Sequence, residues 1–234
     1  MINHSEAFSY IGNELELFEN ASNWKKYLFT EIEKHVGRKS FSIEVGCGIG
    51  ANSRYIARFS NRYVGIEPDA FLCKKAILRH PEFEFINGFF SQAKIESDVK
   101  PDLVLLIDVL EHIEDDYLEI TKIWESLEQG ATLVILVPAH QFLFSKFDAS
   151  VGHYRRYSKK SLTKVMSSHS SDLRIIELDS VGFVLSLASK ILNPNGEMTL
   201  KKVRLWNFLV PISKKIDSLL RFKIGKSILL IANK

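Results

Sequence analysis

Glu44-Val45-Gly46-Cys47-Gly48-Ile49-Gly50-Ala51 is the stretch on which the fold turns. It follows an apolar run at 41–45 and precedes a helical pattern at 52–59, so it reads as the turn between a strand and a helix. Glycines in such a turn let the backbone approach a ligand and present amide N–H groups at a helix N-terminus, the arrangement of a nucleotide-type site. Gly46, Gly48 and Ala51 satisfy the dinucleotide form G-x-G-x-x-G/A. Glu44, just before the first glycine, separates the alternatives: its charge repels an arriving pyrophosphate and attracts a cationic amino group. The pattern favours an aminoacyl cofactor over a dinucleotide.

Upstream of this turn, Leu15, Phe18, Trp24, Tyr27, Leu28 and Ile32 recur at helical spacings within 11–36, predicting one or two amphipathic helices closed by Gly37. Downstream, strand-type runs fall at 63–66, 83–86, 103–107 and 133–137. Helical patterns separate them at 69–79, with Asp69 as N-cap, and at 114–128, with Gly130 beyond its end. The runs at 103–107 and 133–137 are continuously apolar, as in strands buried on both faces. After Asp148 come a polar loop rich in Arg and Tyr, a helix capped by Ser158, a strand near 173–178, an apolar insertion over 181–223, and a last strand near 228–232.

This alternation predicts an α/β fold: a Rossmann-like, doubly wound, mostly parallel seven-stranded sheet with N-terminal helices and a helical insertion before the last strand. We read 1–234 as a single domain, with a helical cap at 1–40, a cofactor-binding core at 41–138, and the substrate loop, last strands and insertion at 139–234. Ligands in such sheets sit at the carboxyl ends of the strands, which directs attention to the residues just after each one.

Composition narrows the classes. Hydrophobic residues at 46% and charged residues at 25% suit an ordinary globular chain, and a net charge of +3 argues against a broad nucleic-acid footprint, so no nucleic-acid partner is expected. Cys47 and Cys73 are too few for a disulfide framework or a zinc site; a reducing cytoplasm fits, and no metal is expected. The N-terminal MINHSEAFSY lacks a charged segment followed by an apolar one, and no stretch reaches the roughly 18 apolar residues of a membrane span. The 181–223 insertion, apolar with basic punctuation, suits a packed core or homodimer face, a cover over the site, or peripheral contact with a membrane.

Glu67 ends the second strand, where an acidic residue can accept both ribose hydroxyl hydrogens. EVGCGIG at 44–50, GIEPD at 65–69 and DVLEHI at 108–113, in that order and strand context, resemble class I S-adenosylmethionine-dependent methyltransferases. The resemblance covers 41–138 and implies S-adenosyl-L-methionine as cofactor. It places Gly46 and Gly48 beside the methionine part, Glu67 on the ribose, and Asn87, Gly88 and Phe89 around the adenine, with Asp108 and Val109 lining the cofactor. His112 would lie near the reactive methyl, either to orient substrate or accept a proton, or to cap or pack its helix.

The loop at 142–157 follows the fifth strand on the ligand-binding edge and reads as a substrate lid. Arg155 and Arg156 can grip phosphate or carboxylate, Tyr154 and Tyr157 can stack on a ring, and His153 can act as general base, with His112 and Asp148 as further candidates. GHYRRYSKKSL at 152–162 also resembles methyltransferases that accompany glycosyltransferases in cell-surface glycan or glycolipid assembly. The fourth strand is not followed by the N/D-P-P-Y pattern of base or glutamine amide methylation, and neither cysteine is placed to attack a pyrimidine. Transfer from a sulfonium depends chiefly on in-line positioning, so no sharp catalytic motif is needed. The expected function is therefore methyl transfer to a small-molecule or glycan/glycolipid-type hydroxyl, amine or carboxylate. Two alternatives stay open: a catalytically silent methyltransferase-like binding domain, and an NAD-dependent oxidoreductase, against which Glu44 and DVLEHI argue.

Overall fold

The structure is a computed structural model and describes residues 8–12, 14–95, 99–192 and 198–234. Residues 1–7 of the expected N-terminal cap and 193–197 of the insertion lie outside the described residues. The elements run α1 (Glu14–Glu19), α2 (Ser22–Val36), β1 (Lys39–Val45), α3 (Ser53–Ile56), β2 (Ser60–Glu67), α4 (Ala70–Arg79), β3 (Glu84–Asn87) and β4 (Leu103–Ile107). They continue with α5 (Asp116–Ser126), β5 (Thr132–Pro138), α6 (Lys146–Ser150), α7 (Lys159–Met166), β6 (Leu173–Leu178), α8 (Ser180–Leu192), α9 (Leu200–Leu219) and β7 (Ser227–Asn233).

The strands form one sheet in the order β3-β2-β1-β4-β5-β7-β6. The pairs from β3 to β5 are parallel, and β7 runs antiparallel to both its neighbours. The order reverses between β1 and β4, which opens a crevice at their carboxyl ends.

Period-two alternation divides the core. Ile43, Val45, Val104, Leu106, Leu133 and Ile135 face α5 and α7 in one cluster. Leu103, Leu105, Ile107, Val134 and Leu136 face the other way, against Trp24, Tyr27, Leu28 and Ile32 of α2 and Trp206 of α9. Glu44 points to this second face, although its neighbours Ile43 and Val45 point to the first.

Two of the boundaries that differ from expectation have a clear local cause. The helix expected over 52–59 is the single turn α3, because buried Phe59 already leads into β2 at Ser60. The helix expected from 114 starts at Asp116, because the Asp115 carboxylate caps it by accepting the Leu118 N–H at 2.9 Å. The insertion folds as the helices α8 and α9. Asp217 of α9 accepts from the N–H groups of Asp179 and Ser180 where α8 begins, and from the Tyr27 hydroxyl of α2 at 2.7 Å. Among the described residues no helix is long and apolar enough to cross a membrane.

Candidate active site

The chain leaves β1 through a turn that only glycine fits at its first position. Gly46 has φ of 69°, and a Cβ there would lie 2.6 Å from Val109 Cγ2 at the end of β4. Gly46 and Cys47 both donate to the Ile66 carbonyl at 2.8 and 3.1 Å, which ties the turn to β2. The Gly48 N–H then donates to Glu67 Oε2 at 2.7 Å, and the Asp69 N–H donates to Oε1 at 2.9 Å. Burial raises the pKa of Glu67, and these two N–H bonds oppose the rise. An ionised carboxylate has about four acceptor positions, so about two remain for a ligand.

Glu44 lies 1% exposed behind the turn. Burial pushes its carboxyl up to about 7, against hydrogen bonds from the Tyr63 hydroxyl at 2.6 Å and the Asn52 amide at 3.0 Å. Both oxygens are thus engaged within the protein.

Two cavities meet at this crevice. The larger, of about 370 Å³, runs from Gly88, Phe89 and Phe90 past Glu67 to Gly46, Gly48, Asp108 and Val109. The smaller, of about 230 Å³, is lined by Glu111, Asp148, His153, Arg156, Trp206 and Lys226. Gly46, Gly48, Asp108 and His112 line both, so they mark the junction.

Asp108 has φ of 54°, a left-handed conformation that Asp tolerates better than most residues and that marks the sharp exit from β4. Its side chain is exposed to both cavities, and the protein walls around it raise its carboxyl's pKa, against the attraction of His153, Lys226 and Arg156. The three-residue 3₁₀ turn Leu110–His112 carries Glu111 into full burial and His112 to the junction. Burial, with His153 beside it, depresses His112 to about 4, so the imidazole is neutral at pH 7. The His112 and His153 rings meet edge to face, 4.5 Å between centroids.

Asp148 organises the loop that follows β5. Its buried carboxylate accepts from His153 Nδ1 at 3.0 Å, from Arg156 Nε and Nη2 at 2.8 and 3.0 Å, and from the Ser145 hydroxyl at 2.7 Å. Burial acts to raise its pKa, but the bonds from His153 and Arg156 outweigh this and hold it well below the usual carboxylate range.

A methyltransferase-domain family matches residues 18–178 of the chain. The chain belongs to this family. No curated protein sequence matches it. Among solved structures it is similar to phosphoethanolamine N-methyltransferase 2 of Haemonchus contortus in complex with S-adenosyl-L-methionine. That likeness has 15% identity and a TM-score of 0.62, over 94% of this chain and 55% of that one. A second structure of the worm enzyme holds phosphomonomethylethanolamine and S-adenosylhomocysteine. The N-methyltransferase NodS of Bradyrhizobium japonicum, in complex with S-adenosyl-L-homocysteine, is 13% identical over 92% of this chain and 88% of that one, with a TM-score of 0.59. An S-adenosylmethionine-dependent methyltransferase from Archaeoglobus fulgidus is 15% identical over 94% and 97%, with a TM-score of 0.60. At these identities the likeness is one of fold, and that fold is the Rossmann-like methyltransferase sheet.

Within this methyltransferase, Gly46, Gly48, Glu67, Gly88, Phe89, Asp108 and Val109 line the larger cavity, and His112, His153 and Arg156 reach the smaller. Five expected site residues stand elsewhere. Glu44, expected beside the cofactor, lines neither cavity, because its buried oxygens are bonded to Asn52 and Tyr63 behind the turn. Asn87 is not a cavity-lining residue; its amide donates to the Glu67 and Pro68 carbonyls and braces the end of β2, while Phe90 takes a place on the wall. Tyr157 is 1% exposed, and its hydroxyl donates to Asp116 at 2.7 Å, so it is core rather than a stacking platform. Arg155 pairs with Asp116 at 3.0 Å and donates to the Ile113 and Glu114 carbonyls, and its own side chain lines neither cavity. Tyr154 is 53% exposed beneath the Arg155 guanidinium and also lines neither. Alternation along the extended stretch explains the split: successive side chains point to opposite sides, so Arg156 faces inward and Arg155 outward.

Glu111, Lys226, Trp206 and Tyr10 line the smaller cavity without having been singled out from the sequence. For Lys226 no local signal exists; it arrives because the Ala139 N–H donates to its carbonyl at 2.8 Å, where β7 docks against β5.

Proposed function

We propose that this methyltransferase takes S-adenosyl-L-methionine in the larger cavity and methylates a hydroxyl, amine or carboxylate of a small-molecule or glycan/glycolipid-type acceptor entering the smaller one. The observation that carries the reading is the Glu67 carboxylate, fixed by the N–H groups of Gly48 and Asp69 on the wall between Phe89 and the glycine turn. Its two unused acceptor positions suit the ribose hydroxyls, the Phe89 and Phe90 end suits the adenine, and the Gly46, Gly48 and Asp108 end suits the methionine part. The sulfonium methyl then lies at the junction, facing His112 and His153, which orient the acceptor and help it lose its proton. Binding of S-adenosylhomocysteine and methionine-derived donors in the relatives' structures supports the choice of cofactor.

Arg156 and Lys226 give the acceptor cavity a positive wall, which suits an anionic acceptor. Trp206 of α9 lines that cavity, and the same helix exposes Leu205, Phe208 and Ile212 between Arg204 and Lys215. This rim supports a peripheral membrane contact and hence a lipid-linked acceptor. Calorimetric titration with S-adenosylhomocysteine and with NAD tests the reading. Heat with the first alone supports it, heat with NAD alone replaces it with an oxidoreductase, and heat with neither leaves a domain that does not use a nucleoside cofactor.

A further inference from the structure

Glu111, His112 and His153 each bring one ligating atom within 4.8 Å of the others in the smaller cavity. Glu111 is fully buried, and neither of its carboxylate oxygens has a hydrogen-bond partner. A buried polar group left unsatisfied is costly, and native proteins keep one only where a proton, a water or an ion completes it.

The neighbours of Glu111 favour the ion. His153 spends Nδ1 on Asp148 at 3.0 Å, which leaves Nε2 facing Glu111 Oε1 at 3.9 Å. With the ring proton on Nδ1 and the Glu111 carboxyl ionised, two acceptors confront each other; burial by itself favours the protonated carboxyl, and a cation between the two groups takes the place of that proton and turns repulsion into attraction. A carboxylate behind an imidazole is also the usual way a metal-bound histidine is oriented. His112, the third member, stacks edge to face on His153 and reaches the junction with the larger cavity. Asp108 adds another carboxylate to the same wall.

We propose that Glu111, His112 and His153 bind a divalent transition-metal ion, zinc or a metal of its ligand class, with Asp148 orienting His153 from behind and the open side of the ion turned to the acceptor. Two imidazole nitrogens and one carboxylate oxygen form a ligand set that zinc accepts, and metal–ligand distances of about 2.0–2.2 Å require only side-chain rotation from the present spacing. The two cysteines take no part, which is why a cysteine count gave no hint of the site. The acceptor's role rests on the methyl-transfer reading above. On that reading, a hydroxyl oxygen held by the ion loses its proton to water and forms the new O–CH₃ bond. The S–CH₃ bond breaks in the same step, leaving its electron pair on sulfur as a neutral thioether.

The test uses the full chain stripped with a chelator. Calorimetric titration with zinc chloride should give one ion per chain, and cobalt chloride should give a visible absorption band of nitrogen and oxygen coordination. Glu111→Gln and His112→Ala, each checked for folding by circular dichroism, should weaken zinc at least tenfold and alter the cobalt band. No zinc binding up to about 1 mM, or unchanged affinity and spectrum in whichever variants fold, would overturn the proposal. S-adenosylhomocysteine binding, measured on the same metal-free samples, reports separately on the cofactor reading.

Discussion

Gly48 and Glu67 form one unit: the backbone N–H of the turn after β1 donates to the carboxylate that ends β2, at 2.7 Å. The carboxylate therefore does two things at once, holding the turn open and presenting its remaining lone pairs to the larger cavity. Glu67→Ala should weaken S-adenosylhomocysteine at least tenfold, since hydrogen bonds to a charged group are worth roughly 1.5–3 kcal/mol each. Calorimetry that returned wild-type affinity would remove Glu67 from the donor site.

Glycine substitutions in the turn should fail for different reasons. At Gly46 an added Cβ meets Val109 Cγ2 at 2.6 Å as well as an unfavourable φ, whereas at Gly48 the nearest atom is Leu15 Cδ1 at 3.5 Å, with φ of 55°. Gly46→Ala should therefore destabilise the fold, and Val109→Ala should restore part of that loss. Gly48→Val should leave the protein folded but abolish donor binding, because the side chain fills the approach space. Melting curves paired with binding isotherms separate the two, and identical behaviour at both positions would contradict the geometry.

Glu44 predicts a pH dependence of stability. Its pKa rises from an ordinary 4.5 to about 7 in the folded state, so the fold prefers the protonated form. The resulting stabilisation is fully present below pH 4.5 and is lost as pH rises through about 7, amounting to about 3 kcal/mol. Glu44→Gln should lack this slope, so the stability difference between wild type and variant should change by about that amount between pH 4.5 and 7.5 in urea unfolding. Parallel profiles would show that Glu44 is ionised throughout.

The paired arginines should separate. Arg155→Ala removes a partly exposed pair with Asp116 and should change stability by about 0–1 kcal/mol, leaving the acceptor KM unaltered. Arg156→Ala takes the guanidinium from the buried Asp148 carboxylate, which keeps only its His153 and Ser145 donors, and should cost up to about 3–5 kcal/mol. His153→Ala should lower kcat more than KM with any acceptor identified. If the two arginine variants behaved alike in unfolding and in steady-state kinetics, the inward and outward assignments would be wrong.

Local chemistry made much of this protein legible in one dimension. The strand runs at 103–107 and 133–137, the Asp69 cap, the glycine turn and Glu67 each declare themselves through composition and spacing. The observed sheet carries them in the expected seven-stranded, mostly parallel arrangement. Those features depend on short-range rules: side-chain periodicity, capping and the conformational freedom of glycine.

What the sequence determined by itself was the α/β architecture and the strand ends to which the cofactor-type motifs belong. Only the tertiary structure decided which side chains share a cavity. A one-residue step reverses a side chain's direction in extended backbone, so Arg155 and Arg156 read alike yet face opposite ways. Docking of β7 beside β5 delivers Lys226, and packing of the loop at 142–157 against the Leu110–His112 turn sets His153 facing the buried Glu111, whose oxygens have no hydrogen-bond partner. Contacts between segments far apart in the chain are fixed by packing and burial, and no local pattern encodes them.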